Sequence, residues 1–248
     1  MTNRPVAVIT GASSGIGTAI ATRLAADGYD LALCARRQSR LTDLADKLSQ
    51  QHDAAVLTQS VDLRDEAQIL GWFSAIATRF NRLDVLINNA GLGYQESLTS
   101  GSTDKWRETL DVNVIALCIC TREAIKLMHD SSNDQGHIVH ISSMSGHRVP
   151  GSGMYSASKF AVRALTEGLR QELRTDNSAI RISSISPGFV ETEFAEKYSG
   201  SREQAQQIYG QFPVLQPQDI ANAVGYVLSQ PDYVQVHDIL LRPTQQSS

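Results

Sequence analysis

Tyr155 and Lys159 stand four residues apart in YSASK, so on a helix their side chains share one face. A phenol beside an ammonium can move one proton at a reacting oxygen. Reduction of a ketone needs such a proton, because an alkoxide develops as the carbonyl carbon is attacked. A free tyrosine has a pKa near 10, roughly three units above neutral, a gap of about 4 kcal/mol. A neighbouring positive charge favours the phenolate and brings that value down. The pair therefore predicts a general acid in the reducing direction and a general base in the oxidising one.

A second group must hold the reacting oxygen. Ser142 and Ser143 both end the strand pattern that precedes the tyrosine helix, where ligands gather in parallel sheets. A third feature is the turn TGASSGIG at residues 10–17, with Gly11, Gly15 and Gly17 spaced G-x-x-x-G-x-G. Glycines at a first strand–helix junction let the backbone approach a pyrophosphate at the positive end of the helix. The second strand then ends in Cys34-Ala35-Arg36-Arg37, where an acidic residue would accept from a free ribose 2′-hydroxyl. Two guanidiniums in that place suit a 2′-phosphate, which a carboxylate would repel. The cofactor expected is NADP(H) rather than NAD(H).

These groups need a frame. VAVIT (6–10) and LALCA (31–35) are apolar enough for buried strands, and 55–59, 85–88, 137–142, 181–186 and 238–242 continue the series. Between them run helical patterns: Ile16, Ala19, Ile20 and Leu24; Leu41, Leu44, Ala45 and Leu48; Ile69, Trp72, Phe73 and Ile76. Longer helices are expected over about 103–128 and 155–173, and another after Pro217. Residues after Pro187 read as an irregular, functional segment. Strand–helix alternation with near-continuous apolar strands predicts an α/β fold: a doubly wound, parallel, seven-stranded sheet with helices on both faces. With no linker along the chain, residues 1–248 are expected to form a single domain.

Composition narrows the function. The 248 residues are 42% hydrophobic, enough for a core without disulfide or metal staples. Lys and Arg number 22 against 26 for Asp and Glu, and the net charge of −4 has no basic block, which argues against nucleic acid as a partner. No apolar run approaches the roughly 18 residues of a membrane span, so a cytoplasmic location is expected. Cys34, Cys118 and Cys120 form no C-x-x-C pair, and the histidines lack metal-site spacing, so no metal is expected. His137 and His140 are expected to pack within their strand.

TGASSGIG, NNAG (88–91), YSASK and PGFVET (187–192) occur in an order and spacing that resembles the short-chain dehydrogenase/reductase family, in its small single-domain Rossmann form. The resemblance runs from Val6 to about Arg242. It implies a catalytic set of Asn113, Ser143, Tyr155 and Lys159. Ser143 is selected because it leads the run Ser143-Met-Ser-Gly146, although the family's commonest interval to the tyrosine would select Ser142. Asn113 in LDVNV matches an asparagine that kinks its helix and holds a water leading to the lysine.

The resemblance also implies the cofactor contacts. These are Gly11, Ser13, Ser14, Gly15, Ile16 and Gly17 in the turn, Arg36 and Arg37 after the second strand, and Asp62 and Leu63 at the adenine. Asn89, Ala90 and Gly91 would line the adenosine ribose, and Tyr155 and Lys159 the nicotinamide end. Pro187, Gly188, Val190 and Thr192 would meet the carboxamide. Residues 189–213, with Phe189, Phe194, Tyr198, Tyr209 and Phe212, would cover a small-molecule carbonyl or alcohol substrate. Tyr94 and the loop 148–154 would form the opposite wall. Family members pair through the two long helices, so a homodimer or homotetramer is expected, with Ile115, Cys118, Ile119 and Arg122 as either interface or core.

The function expected is NADPH-dependent reduction of a ketone or aldehyde, reversible, with Tyr155 as acid and base. A 3-oxoacyl-thioester reductase shares the motifs, but no Arg/Lys cluster is evident for an acyl-carrier protein. An NADP(H)-sensing binding protein would need no proton donor. A methyltransferase would need no Tyr–Lys pair.

Overall fold

In the strands Val6–Thr10 (β1) and Asp30–Ala35 (β2) every residue is buried, because both faces of the sheet are covered. The computed structural model describes residues 4–131, 134–149 and 153–247. Side chains alternate across the sheet as a pleat requires. Ala7, Ile9, Leu31 and Leu33 enter one core, shared with helices Gly15–Ala26 (α1), Gln38–His52 (α2) and Pro217–Leu228. Val8 and Ala32 enter a second core with Ile69, Trp72 and Ile76 of Glu66–Phe80 (α3) and with Ala116 and Cys120.

The remaining strands are Val56–Ser60 (β3), Val85–Asn88 (β4), His137–Ile141 (β5), Arg181–Pro187 (β6) and Asp238–Leu241 (β7). All pair in parallel, in the order β3-β2-β1-β4-β5-β6-β7. The chain winds outward from β1 through β2 to β3, then returns to lay β4 against the other side of β1, with Ala7 beside Val85 and Ile9 beside Ile87. At that reversal the loops leaving β1 and β4 diverge to opposite faces and open a crevice at the carboxyl ends of the strands.

The helix expected over 103–128 is interrupted. Thr103–Leu110 (α4) passes into a π-helical turn, Asp111–Ile115, before Ala116–Asp130 (α5) resumes the regular pitch. On α5 the buried side is Ala116, Leu117, Cys120, Thr121 and Ala124. Ile115 is 52% exposed and Cys118 is half-buried, so that side points outward, whereas the half-buried Ile119 packs against the second core.

The segment after Pro187 is not irregular throughout. After Met154–Thr175 (α6) and β6 it forms two short helices, Phe194–Ser199 (α7) and Arg202–Tyr209 (α8). Gly200, at φ +71°, ends the first, and the Ser201 hydroxyl accepts from Gln204 N at 3.3 Å to cap the second. The helix after Pro217 is α9. Among the described residues no helix is long and apolar enough to cross a membrane.

Candidate active site

β5 ends at Ile141, and Ser142 and Ser143 follow it directly. α6 begins at Met154, which sets Tyr155 and Lys159 on its first two turns and facing the end of β5. The Lys159 ammonium donates to the Ile141 carbonyl at 3.0 Å and lies 5.8 Å from the centre of the Tyr155 ring. Burial pushes the lysine down to about 8.

Tyr155 behaves otherwise than its spacing suggested. Burial pushes the phenol up to about 12, a hydrogen bond with Ser143 pulls the other way, and Tyr198 raises it further. The protein's own groups thus do not bring the tyrosine toward neutral. The rings of Phe194 and Tyr198 stand 5.2 and 5.7 Å from it and account for much of that enclosure.

The two serines separate. Ser143 reaches Tyr155, and its Oγ also accepts from Ser145 N at 3.1 Å. The Ser142 Oγ is buried with no hydrogen-bond partner among the described residues, although Ser142 also lines the cavity. Asn113 lies in the π turn: its Nδ2 donates to the Leu92 carbonyl at 2.7 Å and to Ser158 Oγ at 3.0 Å, and its Oδ1 accepts from Leu92 N at 2.9 Å. The extra residue in that turn rotates the amide toward the loop after β4, and Asn113 stays behind the cavity wall.

A cavity of about 450 Å³ runs along the strand ends. Apart from Asn113, it is lined by every candidate residue: Gly11, Ser13, Ser14, Gly15, Ile16, Gly17, Arg36, Arg37, Asp62, Leu63, Asn89, Ala90, Gly91, Ser143, Tyr155, Lys159, Pro187, Gly188, Val190 and Thr192. The turn is built for close approach. A Cβ at Gly17 would stand 2.4 Å from the Gly11 carbonyl oxygen and 2.6 Å from Asn89 Nδ2. Gly15, at φ +54°, lies where a Cβ would be 3.0 Å from the Thr192 methyl. This cradle at the N-terminus of α1 fits a dinucleotide with its pyrophosphate on the turn.

The charged groups are not all free. Arg64 binds both Asp62 carboxylate oxygens and holds that acid down to about 2. Arg37 donates to Ser13, Ser14 and Glu193, whereas Arg36 makes no side-chain ion pair among the described residues.

On the far side, Phe189, Phe194, Tyr198, Tyr209 and Arg148 line the cavity. Tyr94 does not: its hydroxyl donates to Glu108 at 2.6 Å, so the expected wall there is made by Leu92 instead. Of the loop 148–154, residues 150–152 lie outside the described residues. Phe212 stacks on Phe189 at 6.4 Å, behind the lining.

Of three further participants, Glu193 and Gln246 had no sequence signal strong enough to single them out, and Tyr209 was expected as a cover over the substrate rather than as an anchor of the backbone. Glu193 grips Arg37 and Arg40. The Tyr209 hydroxyl donates to the Val190 carbonyl at 2.9 Å. Gln246 Oε1 accepts from Phe189 N at 3.0 Å and fills the space beside Gly188.

His137 and His140 are buried and pushed down to about 3 by that burial, so both are neutral. His137 Nε2 bonds Ser183 at 2.9 Å, and His140 bonds Thr166 through Nδ1 at 2.9 Å and Thr121 through Nε2 at 3.4 Å, all within the core.

Residues 5–203 match the family model described as short chain dehydrogenase. The bovine (Bos taurus) protein named dehydrogenase/reductase SDR family member 11 is 47% identical, over 97% of this chain and 96% of its own. A farnesol dehydrogenase of Aedes aegypti is 41% identical, over 96% and 95%. Among solved structures, the closed form of a serine dehydrogenase complexed with NADP+ superposes with a TM-score of 0.90 at 30% identity, covering 98% of this chain and 96% of that one. A Burkholderia phymatum short-chain dehydrogenase/reductase in complex with NAD gives 0.85 at 29%, covering 96% and 88%.

Proposed function

The chain belongs to the short-chain dehydrogenase family, and from that premise we propose that it is an NADPH-dependent oxidoreductase that reduces a ketone or aldehyde to the alcohol, reversibly. The observation that carries the reading is the meeting of Ser143, Tyr155 and Lys159 in the same cavity as the glycine turn and Arg36. NADPH bound there would supply the hydride.

The chain's own residues do the rest. Ser143 donates a hydrogen bond to the substrate oxygen, and Tyr155 gives that oxygen its proton. Lys159, held at the end of β5, keeps a positive charge on the face of α6 that Tyr155 shares. With the phenol pushed up to about 12, proton donation is the favoured direction for the protein alone. Oxidation asks for additional positive charge nearby, which the oxidised nicotinamide carries.

The choice of NADP(H) rests on Arg36 and Arg37 after β2, since both NADP+ and NAD occur among the solved relatives. Phe189, Phe194 and Tyr198 give the substrate end an aromatic lining suited to a medium-sized carbonyl compound. The outward face at Ile115 supports a homo-oligomer through α4, α5 and α6, which sedimentation would test.

The test is NADPH consumption against a panel of aldehydes, ketones and diketones with one 3-oxoacyl thioester, with Tyr155→Phe as control. Turnover of simple carbonyls that the variant abolishes, with NADPH affinity nearly unchanged, is the expected result. Tight NADPH binding with no turnover across the panel would favour a nucleotide-binding role without chemistry.

A further inference from the structure

Glu193 belongs to the segment that follows β6, yet its carboxylate sits on the exit of β2. Oε2 accepts from Arg37 Nη1 at 2.8 Å and Oε1 from Arg40 Nη1 at 2.6 Å, with Lys197 Nζ 3.8 Å away. Arg37 spends its other donors on Ser13 Oγ, at 3.2 and 3.1 Å, and on Ser14 Oγ, at 2.7 Å. The chain's own carboxylate therefore occupies the guanidinium that the glycine turn and β2 present together. We propose that Glu193 sets the discrimination between 2′-phosphorylated and unphosphorylated nucleotide, by competing with the 2′-phosphate for Arg37 and Arg40; this rests on the dinucleotide reading of the cavity.

The charges are unequal in a way that makes the competition real. Arg37, Arg40 and Glu193 are 35%, 47% and 39% exposed, so each ion pair is solvated and modest. A phosphate monoester near neutral carries close to two charges and three acceptor oxygens against one charge and two oxygens. It displaces the carboxylate, but against a resident anion rather than into empty space. Arg36 makes no ion pair among the described residues, and the nearby Asp62 carboxylate is already held by Arg64. Glu193 is held down to about 2 by its arginines, so the competitor is ionised at every working pH.

The position of Glu193 extends the consequence. Thr192 lies against the Gly15 position, and Phe194 stands 5.2 Å from Tyr155. The residue that grips the arginines thus lies between one that touches the turn and one that covers the proposed acid.

The experiment measures dissociation constants of 2′,5′-ADP and 5′-AMP by calorimetry, for the full chain and for Glu193→Gln. These fragments differ in the 2′-phosphate and report no turnover. The expected result is that the variant binds 2′,5′-ADP about two- to five-fold tighter, the range of one solvated ion pair, with 5′-AMP unchanged. A second readout needs no variant: amide exchange over residues 191–200 should quicken with saturating 2′,5′-ADP and not with 5′-AMP. An unchanged ratio of the two constants overturns the inference. So does weaker binding of both fragments, which would make Glu193 a clamp that closes on the nucleotide. If the unmodified chain binds neither fragment, the dinucleotide reading itself falls and takes the inference with it.

Discussion

The Lys159 ammonium is tied to the Ile141 carbonyl, 3.0 Å away, and not to the Tyr155 hydroxyl. The charge in the Tyr–Lys pair is therefore positioned by the end of β5, while the phenol is positioned by α6 and its aromatic neighbours. Two elements must be docked correctly before the pair exists. A buried ammonium whose one hydrogen-bond partner among the described residues is a carbonyl is also a cost to the fold, which is why its value falls to about 8.

That cost should be visible in the pH dependence of stability. The folded value of Lys159 lies near 8 and the unfolded one near 10.5. Between those values the unfolded chain holds more protons than the folded one, so stability contributed by this site rises with pH. Below pH 8 the destabilisation is fully present, and above 10.5 it is gone. Relative to Lys159→Met, the unmodified chain should gain on the order of 3 kcal/mol across that window, measured by urea denaturation of the nucleotide-free protein. Parallel profiles for the two chains would show that the lysine is not the titrating group.

The strands were legible along the chain because each announces itself locally, most clearly β1 and β2, whose apolar runs are buried throughout. The Tyr155–Lys159 face was legible for the same reason, since four residues suffice to state it. What was not legible depends on distance. Glu193 meets Arg37 across 156 positions, and Gln246 meets Phe189 across 57. Asn113 stood out as a polar residue in an apolar helix, but nothing local says that the helix answers with a π turn. α8 had a signal that the mixed aromatic and charged composition obscured: Ser201 followed by Gln204 is a helix-start pattern.

The two serines should differ in kind. Ser143 pulls the Tyr155 phenol down, whereas Ser142 has a buried hydroxyl without a partner among the described residues. Ser143→Ala should lower kcat by about 10²-fold or more, the scale of a lost donor to a developing oxyanion, and raise the apparent pKa of the Tyr155 step. Ser142→Ala should change stability little, because no bond is lost there, and leave kcat within a few-fold. Steady-state kinetics over pH 6–10 separates them, and a larger kcat loss at position 142 would reverse the assignment.

Arg36 should matter more to NADPH than its neighbour does. It meets the cavity without an ion pair among the described residues, while Arg37 is already shared among Ser13, Ser14 and Glu193. Arg36→Ala should weaken NADPH by about 1–3 kcal/mol, as for a lost charge-assisted bond, and leave NADH unchanged. Arg37→Ala should weaken NADPH too, with a second effect the first variant lacks: the segment carrying Glu193 loses one of its two arginine anchors. Fluorescence titration with both nucleotides tests this, and equal losses for NADPH and NADH at Arg36→Ala would remove the phosphate assignment.

Tyr209 ties α8 to the segment that follows β6. Its hydroxyl donates to Val190 O at 2.9 Å, accepts from Thr192 N at 3.3 Å, and stands 3.2 Å from Thr192 O. Val190 and Thr192 are the residues proposed to meet the carboxamide, so one phenol fixes the backbone at that end of the cavity. Tyr209→Phe keeps the ring and its packing but leaves these polar groups without their partner, a change of about 1 kcal/mol. The expected outcome is a KM for NADPH raised several-fold, with the affinity for 2′,5′-ADP unchanged, since that fragment lacks the nicotinamide end. A merely structural role would lower thermal stability and weaken both ligands together, so the split between NADPH and the fragment decides whether Tyr209 positions the site or only supports the fold.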